Sequence, residues 1–319
     1  MRGALQRAWL RRGPLACALW PLSLVFGAVA AMRRSAYRAG ILKTVRAGVP
    51  VVVIGNVVAG GSGKTPVVAA VVEHLKARGF RVGIVSRGYG RRTQDCREVT
   101  PTSDARDAGD EPLLLARACK VPVFVAAARI EAAKALLRAH PQTQVIVSDD
   151  GLQHYALARD VEICVFDDRG VGNGWLLPAG PLRESWPRTV DIVAGPGGHA
   201  VVRKLAEQAV RADGTRVSLD QLRGQGLVAV AGIAKPQAFF DMLRAAGLDI
   251  ESAIALPDHH DFAQPLQVRG EIVCTEKDAV KLWRTRPGAW AVPLEVTIAP
   301  GFWVALDAKL SSADGSPTA

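Results

Sequence analysis

Acidic side chains are missing from the first 72 residues of this 319-residue chain; the first is Glu73. The same stretch carries ten basic residues: Arg2, Arg7, Arg11, Arg12, Arg33, Arg34, Arg38, Lys43, Arg46 and Lys64. The rest of the chain holds thirty basic and thirty acidic residues, so the whole formal charge of +10 belongs to the N-terminal end. Nucleic acid is a poor partner for such a pattern, because the basic residues flank an apolar run instead of interleaving with aromatics. No CxxC pair occurs among the five scattered cysteines, which excludes a zinc ribbon or disulfide framework and suggests a reducing compartment. No second long hydrophobic run occurs, which excludes a polytopic membrane protein. With 49 % apolar and 22 % charged residues, neither a disordered nor a collagen-like chain fits. The length allows one large or two ordinary domains.

The one long uncharged run is Leu15–Met32, LACALWPLSLVFGAVAAM, bracketed by arginines. It can be read as a membrane span, a signal peptide, a core helix or a helix lying in the membrane surface. As a helix its 18 residues reach about 27 Å, slightly short of a hydrocarbon core of about 30 Å. A span would strand one arginine cluster on the wrong side, and Pro21 would interrupt its first part. A surface helix keeps both clusters among anionic headgroups. It is the favoured reading, with a single span left open.

Val49–Ile54 reads as a buried parallel strand. The Gly-rich segment Gly60-Gly61-Ser62-Gly63-Lys64-Thr65 follows, and a helix-like stretch runs to about Arg78. Strand, glycine loop and helix together make a phosphate-binding loop. Its N–H groups and helix dipole hold phosphate oxygens, Lys64 reaches the β- and γ-phosphates, and Thr65 ligates Mg2+. Val58 stands where the motif has its first glycine, so Gly60 and Gly61 must supply the flexibility.

Further strands end in polar groups, where ligands gather in an open α/β sheet. Arg81–Val85 leads to SRGYGRR, either a phosphate grip or a solvated basic loop. Asp110 in GDEP has the position of a helix N-cap. Gln144–Ser148 ends in Asp149-Asp150, a carboxylate pair suited to Mg2+ beside a phosphate-binding loop; Gln153 and His154 extend it. Val161–Phe166 ends in Asp167-Asp168, before an irregular Gly/Pro-rich stretch containing Arg183-Glu184. A new strand–helix alternation starts near Leu227. Asp258-His259-His260-Asp261 reads as a polar turn, with no obvious third ligand group for zinc.

Taken in order, GNVVAGGSGKTP, SRGYGRR, GDEP, VSDDGLQH, LLPAGPLRE, PDHH and TEKD resemble the tetraacyldisaccharide 4'-kinase family, the lipid A kinases of Gram-negative bacteria. The departures are small: Ser62 for a common Thr, and Ser185 for a common Pro. The resemblance implies two α/β/α lobes, the first a P-loop parallel sheet, with the active site in the cleft between them. The corresponding divisions are 1–46 for the membrane-associating segment, 47–222 and 223–310 for the lobes, and 311–319 for a disordered tail. It implies transfer from MgATP to the 4'-hydroxyl of a tetraacyl glucosamine disaccharide 1-phosphate. It places the enzyme peripherally on the cytoplasmic face of the inner membrane, with no obligate protein partner. By motif position, Asp110 is the general base and His259 its partner. Lys64 and Thr65 serve the phosphate loop, and Asp149 and Asp150 face Mg2+. Arg129, Gln153, His154, Arg183 and Glu184 are weaker contacts to substrate or phosphate. The alternative is another membrane-associated P-loop ATPase. A guanine reader is disfavoured because TEKD is not an NKxD motif, and a non-catalytic nucleotide-binding module could dispense with Asp110 and the Asp149-Asp150 pair, which are present.

Overall fold

The computed structural model describes residues 8–61 and 63–313. Ser62, expected in the phosphate loop, lies outside the described residues, as do residues 314–319 of the expected disordered tail. A long helix, α1 (Pro14–Arg38), leads into the first lobe, where β1 (Val51–Gly55), α2 (Lys64–Ala77), β2 (Val82–Ser86) and the short β3 (Arg97–Glu98) come first. Then follow α3 (Ala105–Ala108), α4 (Asp110–Cys119), β4 (Val123–Val125), α5 (Arg129–Ala139), β5 (Val145–Asp149), β6 (Val161–Val165) and β7 (Ile192–Ala194). The seven strands are ordered β3-β4-β2-β5-β1-β6-β7, and only β3 runs antiparallel to its neighbour. β1, β2 and β5 are buried throughout, which is why they read as unbroken β-branched runs. The register sets Ile54 beside Asp149, bringing the phosphate loop next to the carboxylate pair.

The chain then crosses through β8 (Val201–Leu205) to a second sheet. That sheet uses β9 (Gln208–Val210), β10 (Arg216–Ser218), β11 (Leu227–Ala231), α6 (Pro236–Ala245), β12 (Ile250–Ala255), β13 (Ile272–Thr275), α7 (Glu276–Leu282) and β14 (Trp290–Val292). Its strand order is β10-β9-β14-β13-β11-β12. The return path is β15 (Leu294–Ile298), paired antiparallel with β8, and the last helix α8 (Pro300–Ala313). The sheets therefore do not part at 222/223: the β9–β10 hairpin already belongs to the second, and α8 belongs to the first. Phe302, Leu306 and Leu310 of α8 sit in the same core as Val68 and Val72 of α2 and Ile163 of β6. A helix running to Ala313 also means that residues 311–313, expected in the disordered tail, are helical.

Pro21 does not interrupt α1, which runs through it for 25 residues. The ring removes a single N–H from the helical ladder, and the next turn is anchored by Ser23. Its Oγ donates to the Leu176 carbonyl (2.8 Å) and accepts from the Ala179 N–H (2.9 Å). Trp20 meets Trp175 and Tyr37 meets Tyr155, so contacts run along the helix. Leu22, Val25, Val29 and Met32, spaced i, i+3, i+7, i+10, are 58–68 % exposed on another face. α1 is therefore not a core helix.

Candidate active site

Polar groups of the first lobe meet groups that follow β12 and β13 of the second: His259 reaches Asp110, and Lys277 reaches Glu111. At the start of α2, Gly63 has φ +64° and serves as the helix N-cap. A side chain there would be strained, and its Cβ would stand 2.7 Å from Arg203 Nε. Val58 needs no such freedom: it is buried in extended pairing opposite Leu182, which accounts for its place in the motif. Lys64 Nζ lies 3.4 Å from Asp150 Oδ1 and donates to Asn56 Oδ1 at 3.4 Å.

Asp149 is fully buried. Its Oδ2 accepts from Ser86 Oγ (3.1 Å), while Oδ1 has no partner. Burial pushes its pKa up to about 7, assisted by the charges of Glu111 and Asp150 and opposed by Lys64 and Arg129. Asp150 differs. Burial acts upward, but Lys64 and the Arg183 guanidinium (3.1 Å) outweigh it and hold this carboxyl below the ordinary range. Asn56 Nδ2 is another buried atom without a partner. Each such atom costs about 1–3 kcal/mol, so the pocket is built for groups supplied from outside the chain.

The second cluster joins the two lobes. His259 Nδ1 is 3.0 Å from Asp110 Oδ2, joining residues 149 positions apart. Asp110 is not an N-cap: Gly109 takes that position with φ +93°, and its backbone packs against Gly88. The Asp110 side chain is thereby released toward the second lobe. There Lys281 Nζ meets the same Oδ2 at 2.7 Å. Burial raises the Asp110 pKa, but the His259 hydrogen bond and the Lys281 charge outweigh it and leave the group below its usual value.

The weaker candidates have mostly other employment. Arg129 is 3 % exposed, and its guanidinium donates to the carbonyls of Asp149 (3.4 Å) and Asp150 (3.1 Å). It braces the carboxylate turn instead of reaching for phosphate. Burial brings its pKa down to about 10. The Arg129 N–H donates to His154 Nε2 (3.0 Å), so the imidazole carries its proton on Nδ1. Gln153 bridges the Asn56 carbonyl (3.0 Å) and Glu184 Oε1 (2.7 Å), and Tyr155 and Arg188 hold Glu184 Oε2. Gln153, His154 and Glu184 are thus each hydrogen-bonded within the protein. Arg183, half-buried, pairs with Asp150 at 3.1 Å.

The family model for tetraacyldisaccharide-1-P 4'-kinase matches residues 15–311. The chain belongs to this family. It is 58 % identical to the tetraacyldisaccharide 4'-kinase of Acidovorax sp. (strain JS42), over 98 % of this chain and 96 % of that one. With the Delftia acidovorans (strain DSM 14801 / SPH-1) protein of the same name it shares 54 % identity, over 97 % and 95 %. Among solved structures, "apo" form LpxK from Aquifex aeolicus in complex with ATP superposes with a TM-score of 0.81 at 27 % identity, covering 93 % of this chain and 99 % of that one.

Within this 4'-kinase framework several groups had escaped the sequence reading. Ser86 and Asn56 lie within SRGYGRR and GNVVAGGSGKTP but were not singled out, and Lys281 lies outside every motif. The i, i+4 spacing of Lys277 and Lys281 on a short helix was the one available signal. Arg169 donates to the Gly61 carbonyl (2.9 Å), and Asp167 pairs with both Arg169 and Lys235 (2.8 Å). The second lobe is thereby linked to the phosphate loop through Asp167 and Arg169.

Proposed function

We propose that this chain transfers the γ-phosphoryl group of ATP to the 4'-hydroxyl of a tetraacyl glucosamine disaccharide 1-phosphate, at the cytoplasmic face of the inner membrane. The observation that carries the reading is the pairing of two clusters, Lys64 with Asp149-Asp150 and Asp110 with His259. The loop after β2 joins them: Ser86 donates to Asp149, and Gly88, two residues on, packs against Gly109 beside Asp110. A sugar hydroxyl is a weak nucleophile, and a carboxylate within hydrogen-bond reach can take its proton. Lys64 and Arg183, both paired with Asp150, supply the positive charge that would stabilise the phosphoryl group in flight.

Asp149, Asp150 and Thr65 fit Mg2+. They offer hard oxygens, one of them buried and unpartnered, and Mg2+ takes one or two carboxylates together with phosphate oxygens. When bound, it would neutralise charge between the β- and γ-phosphates. The uncovered face of α1, beside a lobe that carries the lipid-directed chemistry, supports membrane attachment. The contacts of α1 along that lobe favour lying on the bilayer over crossing it.

The test is label transfer from γ-labelled ATP to the tetraacyl disaccharide 1-phosphate in detergent with Mg2+. Absence of labelled lipid would refute the proposal. Lys64→Ala and Asp110→Ala should each lower kcat by at least about two orders of magnitude.

A further inference from the structure

We infer that Lys281 is a positioning residue for this transfer: with His259 it occupies Oδ2 of Asp110, so that Oδ1 alone faces the substrate and takes its proton. The inference rests on the kinase reading above and goes beyond it to a residue and an oxygen atom.

Lys281 is 4 % exposed, and its ammonium makes one charged contact, with Asp110 Oδ2 at 2.7 Å; the Phe262 ring lies beneath it at 5.9 Å. A buried ammonium on a buried carboxylate adds little net stability, since desolvation offsets most of the attraction. Among the described residues, nothing donates to Oδ1. One carboxylate oxygen is saturated and the other is open.

Lys277, one helical turn earlier on α7, completes the arrangement. Its Nζ lies 3.3 Å from Glu111 Oε1 and 3.3 Å from His259 Nε2. Burial lowers the Lys277 pKa, but Glu111, Asp258 and Asp110 more than reverse this and keep it charged. An ammonium only donates, so His259 Nε2 accepts and the ring proton sits on Nδ1, pointing at Asp110 Oδ2. The imidazole therefore orients Asp110 and has no free nitrogen for the substrate proton. Glu111 stands beside Asp110 on α4, Asp258 and His259 come from the 257–261 loop, and Lys277, Asp278 and Lys281 come from α7. Tyr89, from the loop after β2, packs on His259 with ring centres 5.4 Å apart. Of these, Lys281 alone brings a positive charge into contact with Asp110.

In the step itself the 4'-hydroxyl O–H bond breaks and its proton moves to Asp110 Oδ1. The hydroxyl oxygen bonds to the γ-phosphorus, and the bond from that phosphorus to the β-phosphate oxygen breaks, its electron pair departing with ADP. Because Lys281 and His259 belong to the second lobe, Asp110 acquires this geometry only with the lobes together.

The experiment is the pH–rate profile of label transfer by the full chain, for wild type, Lys281→Met and Lys281→Arg, at saturating ATP and Mg2+. Loss of the ammonium should move the acid limb of kcat upward by about one pH unit or more and lower the plateau about tenfold, with KM for ATP unchanged. K281R keeps the charge and should keep the limb in place while kcat falls. A limb that stays put in K281M, with activity lost only in proportion to folded protein, overturns the inference and assigns Lys281 to stability. If K281M does not fold, K281R decides: an upward shift of its limb overturns the inference, and an unmoved limb with reduced kcat supports it. Failure of wild type to label the lipid would instead refute the kinase reading.

Discussion

Replacing Val25 and Met32 together by Gln tests whether the uncovered face of α1 holds the enzyme on a membrane. The two side chains are 63 % and 68 % exposed, so the protein itself covers only a third of each. Complete burial of such a side chain is worth about 1.5–3 kcal/mol. The uncovered two-thirds leaves about 1–2 kcal/mol per residue to be gained in the bilayer interface, or about 2–4 kcal/mol for the pair. At 1.4 kcal/mol per factor of ten, the partition coefficient should fall between about thirty- and several-hundred-fold. Gln is a good helix former, so α1 should persist. The assay is sedimentation with phosphatidylethanolamine–phosphatidylglycerol vesicles at 0.15 M salt, with circular dichroism and the melting midpoint as controls for folding. Val304→Gln removes a 69 % exposed side chain from α8 and should leave partitioning within about twofold. An unchanged partition coefficient for the double variant would show that attachment, if it occurs, uses another surface.

Two further outcomes are expected. Ser23→Val leaves the Ala179 N–H without its partner, at about 1–3 kcal/mol, while the Leu176 carbonyl keeps the Gly180 N–H at 2.8 Å; tryptic cleavage at Arg33-Arg34 should accelerate, and an unaltered cleavage rate would mean that Ser23 does not anchor the helix. His154 is held neutral, its pKa brought down to about 4 by burial and then by Arg129, Arg159, Arg33 and Arg87. The unfolded imidazole titrates near 6.5, so from there down to about 4 the unfolded chain binds a proton that the folded one refuses. Stability falls as pH falls through that window. His154→Gln keeps an acceptor for the Arg129 N–H without the titration, and its melting temperature should decline less between pH 7 and 4.5.

The strand–glycine turn–helix unit around Lys64 and the strand ending at Asp149 were legible because their elements are local. A buried strand, a glycine turn and a helix follow one another within thirty residues, and a strand ending in carboxylates needs no distant partner to be recognised. Lys281 was not legible: its contact with Asp110 spans 171 positions, and a lysine on a short helix looks like any solvated residue. The 183–188 segment misled for a related reason. Arg183 and Glu184 are adjacent, yet one faces Asp150 while the other turns inward to Gln153, Tyr155 and Arg188. Nothing in a loop without period announces which way each side chain goes. Asp110 was assigned a capping role on propensity, and the left-handed Gly109 overrode it. The hairpin β9–β10 escaped notice because three-residue strands carry too little alternation to register.

The closing of the first core by α8 also bears on the order in which the molecule can be made. Phe302, Leu306 and Leu310 are the last large apolar side chains of the chain, yet they seal a core begun by Val52 and Ile54. A ribosome must therefore synthesise the whole second sheet before the first lobe can bury its own interior, and until then its apolar surface waits uncovered near the exposed apolar face of α1.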